Sequence, residues 1–463
     1  MSRARPEHDP RRLPARERVV ITGCGAVTPL GGDVAKTWDG LLAGRTGFGP
    51  ITRFDARTFS TCFAAEADIP DLSNVFADPT PHDGAGRNTR FALSAAAQAW
   101  KQAGLGDARA SAGPPGTLDR ARVGIYLGSG EGVLDFENYV RTNLAGWDAA
   151  ARTVDTRRWA AAARENMDAT RELEQESNMT LAHVAQAFGA EGPASNCLTA
   201  CTASTQALGE AAGLVRRGDA DVMLAGGTHT MIHPLGVTGF IRLTALSTRR
   251  EEIESASRPF SLDRDGFVMG EGAGMLVLES VEHARARGAE PLAEIVGFGS
   301  SADAFRITDI QPDGLGAQHT MRDALAQAGI DPGALGEDGR PLIHYISAHG
   351  TGTRENDAIE TRAVRGVFGA RADDIPMSSV KSMLGHLIAA AGAVEAIVCT
   401  QCIRTGVVPP TVNLRCPDPA CDLDNVPNEP RDLNDRGGVE VALSNSFGFG
   451  GQNNTLIIRR FEA

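Results

Sequence analysis

A strand-like run that ends in two closely spaced glycines occurs twice in this chain, once near its start and once past its middle. Residues 18–23 read as a buried strand entering a Gly-rich turn, and Ile21-Thr22-Gly23-Cys24-Gly25 is loosely echoed by Ile295-Val296-Gly297-Phe298-Gly299. Elsewhere, short apolar runs alternate with Ala-rich amphipathic segments, which is the pattern of α/β units with buried strands. Further strands are expected at 123–128, 221–226 and 342–348, with a strand, turn and long apolar helix over 377–403. The expectation is an α/β body of two related halves, 18–287 and 288–463, behind a disordered tail over 1–17. No short-period repeat is visible, so solenoids and propellers are excluded.

The 463 residues suffice for one large body or two to three domains. With 45 Lys plus Arg against 58 Asp plus Glu, the net charge of -13 argues against nucleic acid or an anionic membrane as the general partner. No apolar run is read as approaching the roughly 18 residues that span a bilayer. The first 18 residues are charged and lack the apolar stretch of a secretory signal, which points to the cytoplasm. Eight scattered cysteines are expected as thiols. Two stretches look peripheral: 106–122, rich in Gly, Pro and Ala, and 141–180, which is strongly charged and reads as holding one solvent-edged helix over 156–176.

Four segments carry chemistry. In Asn196-Cys197-Leu198-Thr199-Ala200-Cys201, Cys201 opens a helix with Ala203, Ala207, Leu208, Ala211, Leu214 and Val215 on one face and Gly218 just past its end. Free amides and the positive dipole end at such a start are expected to lower the thiol pKa and to offer a donor to an oxyanion. The alternative for Cys201, and the preferred reading for Cys197, is a small buried hydrophobe. His349-Gly350-Thr351-Gly352-Thr353 stands at the end of the expected 342–348 strand, where α/β proteins place ligand-facing groups. His344, within that strand, reads as a packed histidine. Lys381-Ser382-Met383-Leu384-Gly385-His386 precedes the long apolar helix, whose positive end favours a neutral His386 ring with an N–H to donate. Finally, Asn445-Ser446-Phe447-Gly448-Phe449-Gly450-Gly451 lets the backbone approach a ligand but lacks the Lys of a phosphate-binding loop. Cys399, Cys402, Cys416 and Cys421 superficially suggest zinc, yet the first two fall inside an apolar helical run, so no metal is expected.

Together these segments resemble the β-ketoacyl-acyl carrier protein synthases of the thiolase superfamily, nearest to the elongating type II enzymes of fatty acid synthesis. The likeness runs from about Arg18 to Arg459 and includes the segment from Ser257 to Gly274 and the run from Lys381 to Ala396. It implies a five-layered αβαβα body and a Cys-His-His enzyme. Cys201 is then the acyl-accepting nucleophile, and His349 and His386 serve the condensation. Lys381 supports the histidines with Glu395 as its carboxylate partner. Phe449 is a gating aromatic whose N–H joins that of Cys201 in an oxyanion hole. Thr351 and Thr353 contact the phosphopantetheine arm, and Asp357 and Glu360 organise the loop. The same resemblance implies an acidic acyl carrier protein as partner, a homodimer and no cofactor. Arg87 and Arg90 are candidates for a cationic rim facing the carrier.

Three readings compete with fatty acid elongation. A polyketide ketosynthase, in a homodimer or heterodimer, stays open, because the His349–Thr353 motif and the Asn196-Cys197 pair are compatible with that resemblance too, and the charged 141–180 segment leaves chain length unreadable. A thiolase acting on coenzyme A esters does not predict Lys381 with His386. A catalytically silent partner subunit is opposed by the presence of Cys201, His349, His386 and Lys381 together.

Overall fold

The computed structural model describes residues 13–106, 118–130, 134–306 and 310–462. Of the tail expected over 1–17, residues 1–12 lie outside the described residues, as do 107–117 of the Gly/Pro/Ala-rich stretch. Residues 13–17 are not a loose tail but a turn in which the Glu17 N–H donates to the Pro14 carbonyl and the Glu17 carbonyl accepts from Arg216. Ten strands form the central sheet: β1 (Val19–Val27), β2 (Val123–Ser129), β3 (Ala194–Cys197), β4 (Val222–His229), β5 (Gly272–Ser280), β6 (Ala293–Ala302), β7 (Tyr345–Ser347), β8 (Met377–Ser378), β9 (Val441–Gly448) and β10 (Gln452–Arg459). Five helices pack on them: α1 (Arg87–Gln102), α2 (Ala203–Arg217), α3 (Leu315–Ala328), α4 (Arg354–Phe368) and α5 (Ala391–Thr405).

The strands fall into two groups of the same order. In the first half it is β3-β2-β4-β5-β1, and in the second β8-β7-β9-β10-β6. Directions match as well: β2 runs parallel to β3 and β4, as β7 does to β8 and β9, while β5 and β10 are antiparallel to both their neighbours. The groups meet at a short antiparallel seam pairing Val19 with Ile295, Val20 with Glu294 and Ile21 with Ala293. The glycine echo has a physical cause at this level. A Cβ on Gly25 would stand 1.9 Å from the Ala95 carbonyl oxygen of α1, and one on Gly299 would stand 2.0 Å from that of Thr320 in α3. Each half thus lets one helix lie directly on the backbone of its first strand.

Both faces of each strand group are covered, which is why the strands read as continuous apolar runs. Phe91, Ala92 and Ala95 of α1 pack on Val222, Leu224 and Val277 outside the first group. Met321, Ala324 and Leu325 of α3 pack on Ile346, Leu443 and Ile457 outside the second. Between them, Leu208 and Val215 of α2 and Val394 and Ile397 of α5 join Met223 and Leu276 to Ala442 and Leu456. The result is a five-layered αβαβα body with α2 and α5 as its middle layer.

Three local expectations are corrected. The 342–348 strand shortens to Tyr345–Ser347, with His344 just before it. The single helix expected over 156–176 is two, Thr156–Asn166 and Ala169–Leu173, because Asp168 turns extended and caps the second through the N–H groups of Thr170 and Arg171. One helical stretch, Ile388–Thr405, does reach membrane-spanning length and apolarity, but it is 83% buried as the middle-layer helix.

Candidate active site

Each functional side chain leaves a strand end on the same side of the body. After β3 the chain makes a tight turn, Ala200–Thr202, and runs straight into α2. Ala200 at its start has φ 48°, a left-handed conformation costly for a residue with a Cβ. The turn puts Cys201 beneath the surface, 2% exposed, while Arg216, Arg217 and a left-handed Gly218 close the helix as its sequence predicts. In the second half, the chain after β8 forms the short helix Lys381–Leu384 and the turn Ile388–Ala390 before entering α5, with His386 between them. The two middle-layer helices are locked together, since Ser204 Oγ accepts from the Ala393 N–H at 2.9 Å. That contact draws the thiol loop and the His386 loop to one place.

His349 follows β7 and is held by its own backbone. Glu360 Oε1 accepts from the His349 N–H and Glu360 Oε2 from the Gly350 N–H, each at 2.8 Å. Asn445 and Asn356 also donate to this carboxylate. Asp357 accepts from the N–H groups of Phe260 at 2.8 Å and Gly352 at 3.1 Å. Thr353 caps α4 through the Asn356 N–H, and its hydroxyl lies 3.0 Å from that of Thr351. Arg264, to which the sequence reading gave no role, clamps this loop from outside by donating to the carbonyls of Thr353 at 2.8 Å and Arg354 at 3.0 Å. Its only trace in the sequence was membership of the segment after Ser257.

A cavity of about 620 Å³ is lined by Cys201, Phe267, His349, Thr351, His386 and Phe449. The two imidazoles stand 5.4 Å apart between centroids and nearly perpendicular, at 83°. Phe267 meets the edge of His386, with 5.1 Å between centroids. Burial, and after it the Lys381 ammonium, holds both histidines well below the ordinary imidazole range, so both rings are neutral. The Ile388 N–H donates to His386 Nδ1 at 3.3 Å, which leaves the ring proton on Nε2. Among the described residues, His386 Nε2 and His349 Nδ1 have no hydrogen-bond partner. Lys381 and Glu395 form a fully buried ion pair. Burial pushes the Glu395 carboxyl up to about 7 against the pull of that ammonium.

The thiol expectation is corrected. Burial pushes Cys201 up to about 11, outweighing the Phe449 N–H, Lys381 and its own N–H, which all favour the thiolate. A helix start in a dry pocket still desolvates its sulfur. The amides expected at an oxyanion hole, those of Cys201 and Phe449, do converge on it. Arg87 is also corrected: its guanidinium donates to the buried Glu271 and the Ala67 carbonyl, each near 3 Å, and is not part of a rim. Arg90 is half-buried and turned to the Ala85 carbonyl. His344 accepts from the Val441 N–H, and burial pushes it down to about 4. Cys399 and Cys402 are core residues of α5, while Cys416 is exposed on a distant loop. His229 at the end of β4 was missed: it is buried, both ring nitrogens lack partners among the described residues, and burial pushes it down to about 4.

Comparison with known proteins gives the same picture. The family model for the beta-ketoacyl synthase N-terminal domain matches residues 16–284, and that for its C-terminal domain matches 292–415. The chain belongs to the beta-ketoacyl synthase family. A 3-oxoacyl-[acyl-carrier-protein] synthase 2 of Coxiella burnetii is 40% identical over 457 residues, 96% of this chain and 99% of that one. A solved beta-ketoacyl synthase from Burkholderia phymatum superposes with a TM-score of 0.81 at 32% identity, over 96% of this chain and 100% of the other. A type II PKS ketosynthase, solved in complex with its acyl-carrier protein and bound to a hexaketide, gives 0.79 at 32% identity, again over 96% and 100%. This synthase therefore carries the thiolase fold, and the like-named family chemistry is acyl transfer.

Proposed function

We propose that the protein condenses a Cys201-bound acyl chain with malonyl-acyl carrier protein to give 3-oxoacyl-acyl carrier protein, in fatty acid elongation. The observation that carries this reading is one cavity holding a buried thiol, two neutral imidazoles and two amides aimed at the sulfur. In the first half-reaction, Cys201 sulfur attacks the thioester carbonyl, and the oxyanion is met by the N–H groups of Cys201 and Phe449. The carbon–sulfur bond to pantetheine breaks, and the thiol proton ends on the departing pantetheine sulfur. In the second, His349 and His386 donate to the malonyl thioester oxygen as carbon dioxide leaves, and the resulting enolate carbon attacks the acyl-Cys carbonyl. Cys201 departs as thiolate and is reprotonated. Decarboxylation drives the bond, so no redox cofactor or metal enters.

Lys381 and Glu395 fix the electrostatics around the imidazoles, Thr351 and Thr353 line the path of the pantetheine arm, Phe449 gates it, and Asp357 and Glu360 hold the loop. A cytoplasmic homodimer fits this role. Supporting it, β3 is the last strand of its group, and Ala194 and Ser195 on it are exposed, so a second copy can extend the sheet there. Incubation with acyl-carrier protein followed by intact mass should give one acyl adduct on the wild type and none on Cys201→Ala, and equal labelling would overturn the assignment. Cys201→Gln should keep malonyl decarboxylation without condensation, whereas a silent partner subunit would show neither. A product chain-length profile with defined donors separates elongation of fatty acids from polyketide extension.

A further inference from the structure

The cavity that holds Cys201 is lined from both halves of the molecule, and each half contributes an arginine. Arg242 closes the helix Pro234–Arg242 that follows β4, and Arg354 opens α4 after β7. Both are exposed, and both line the cavity whose base is Cys201, His349 and His386. Among the described residues neither guanidinium has an ion-pair or hydrogen-bond partner.

The other cations around this mouth are engaged. Arg249 holds Asp263 and Asp265, Arg258 holds Glu252 and Asp263, Arg264 holds Asp418 and two carbonyls, and Arg250 donates to the Arg57 carbonyl. The acids lining the cavity are Asp265, already held by Arg249 and the Thr248 N–H, and the exposed Glu355. Two guanidinia without a partner among the described residues thus line one cavity, both exposed, on a chain whose net charge is -13. Planar guanidinium forks match the oxygens of a phosphate, and two of them at one cavity suit a single dianionic or diester group.

Resting on the condensing-enzyme reading above, we propose that Arg242 and Arg354 clamp the phosphate at the far end of the pantetheine arm. The thioester end must reach Cys201 at the base, passing Thr351 and Thr353, so the opposite end of the arm emerges at this rim. The malonyl carboxylate cannot be the anion held here, because it must lie beside the imidazoles where carbon dioxide is lost. The phosphate has two sources, the diester on a carrier protein serine and the pyrophosphate of coenzyme A, and the clamp takes their shared chemistry.

The test is the ratio of kcat/KM for Cys201 acylation by acyl-phosphopantetheine over acyl-pantetheine, which lacks the phosphate. Arg242→Ala and Arg354→Ala should each lower that ratio about tenfold, the double variant about a hundredfold, with partial recovery in the Lys variants. An unchanged ratio, or equal loss with both donors, overturns the clamp. A fall with acyl-carrier protein but not acyl-coenzyme A assigns it to the carrier diester, and the reverse assigns it to coenzyme A. Calorimetric binding of 4′-phosphopantetheine against pantetheine reads the same preference without turnover, and wild type binding both equally also overturns it. A wild type that Cys201 acylation never reaches with any donor, yet which prefers phosphopantetheine, would instead defeat the condensing-enzyme reading and leave the clamp standing.

Discussion

The two halves share a strand order and spend the same loops on different chemistry. The loop after the third strand holds Cys201 in the first half and Lys381 with His386 in the second. The loop after the second strand presents His349 in the second half. The fourth strand ends on His229, whose ring has no partner among the described residues, in one half, and is followed by Phe449 in the other. The halves also differ in how the chemistry is held. The thiol turn rests on a strained Ala200 and a few amides, while the His349 loop is tied by Glu360, Asp357 and Arg264. A nucleophile must be reachable by an incoming carbonyl, whereas donors to a developing enolate must keep a fixed aim. The fold therefore supplies equivalent positions, and the local polar groups around each decide how it is held.

The largest expected effect is on stability in the second half. Lys381→Met strands the Glu395 carboxyl in the core and should cost about 3–5 kcal/mol in a denaturant titration, most of it recovered in Lys381→Met/Glu395→Leu. Next, His349→Ala or His386→Ala should slow malonyl decarboxylation about 10²–10³-fold while Cys201 still takes an acyl group in the mass assay. Equal loss of acylation would end the division of labour between the halves. The pH profiles should differ as well. With its thiol pushed up to about 11, alkylation of Cys201 by iodoacetamide should rise about tenfold per pH unit toward that value, since only the thiolate reacts. Decarboxylation by Cys201→Gln should show no imidazole titration between roughly pH 6 and pH 8, because both rings are already neutral there, and any break near 7 should vanish in Glu395→Gln. A thiol plateau near neutrality would restore the helix-dipole expectation. Smaller and more symmetric, Gly25→Ala and Gly299→Ala should each lose about 1–3 kcal/mol by thermal unfolding, and unequal costs would show that one half tolerates helix displacement better. Smallest, Thr353→Ala should lose about 1 kcal/mol as the cap of α4.

Much of the site was legible as local pattern. Cys201 before an amphipathic helix that stops at Gly218, His349 at a strand end and His386 ahead of an apolar helix are all statements about a few neighbouring residues. What failed did so for one kind of reason. The thiol's direction of shift, the fate of Arg87 on Glu271, the break at Asp168 and the clamp by Arg264 depend on groups brought from elsewhere in the chain or on backbone turns that periodicity does not encode. His344 and His386 look alike as isolated letters; one accepts a single amide beside a strand, and the other lines a cavity.

By itself the sequence revealed the alternation of strands and helices, the echo of one half in the other and the groups proposed to react, because turn chemistry and apolar periodicity act over three or four residues. Only the tertiary structure decided that the sulfur is dry, that burial neutralises His349 as well as His386, and that Arg242 and Arg354 line one cavity without a partner among the described residues. Those properties are set by desolvation and by charges that the fold brings within ångströms, and no local pattern along the chain records them.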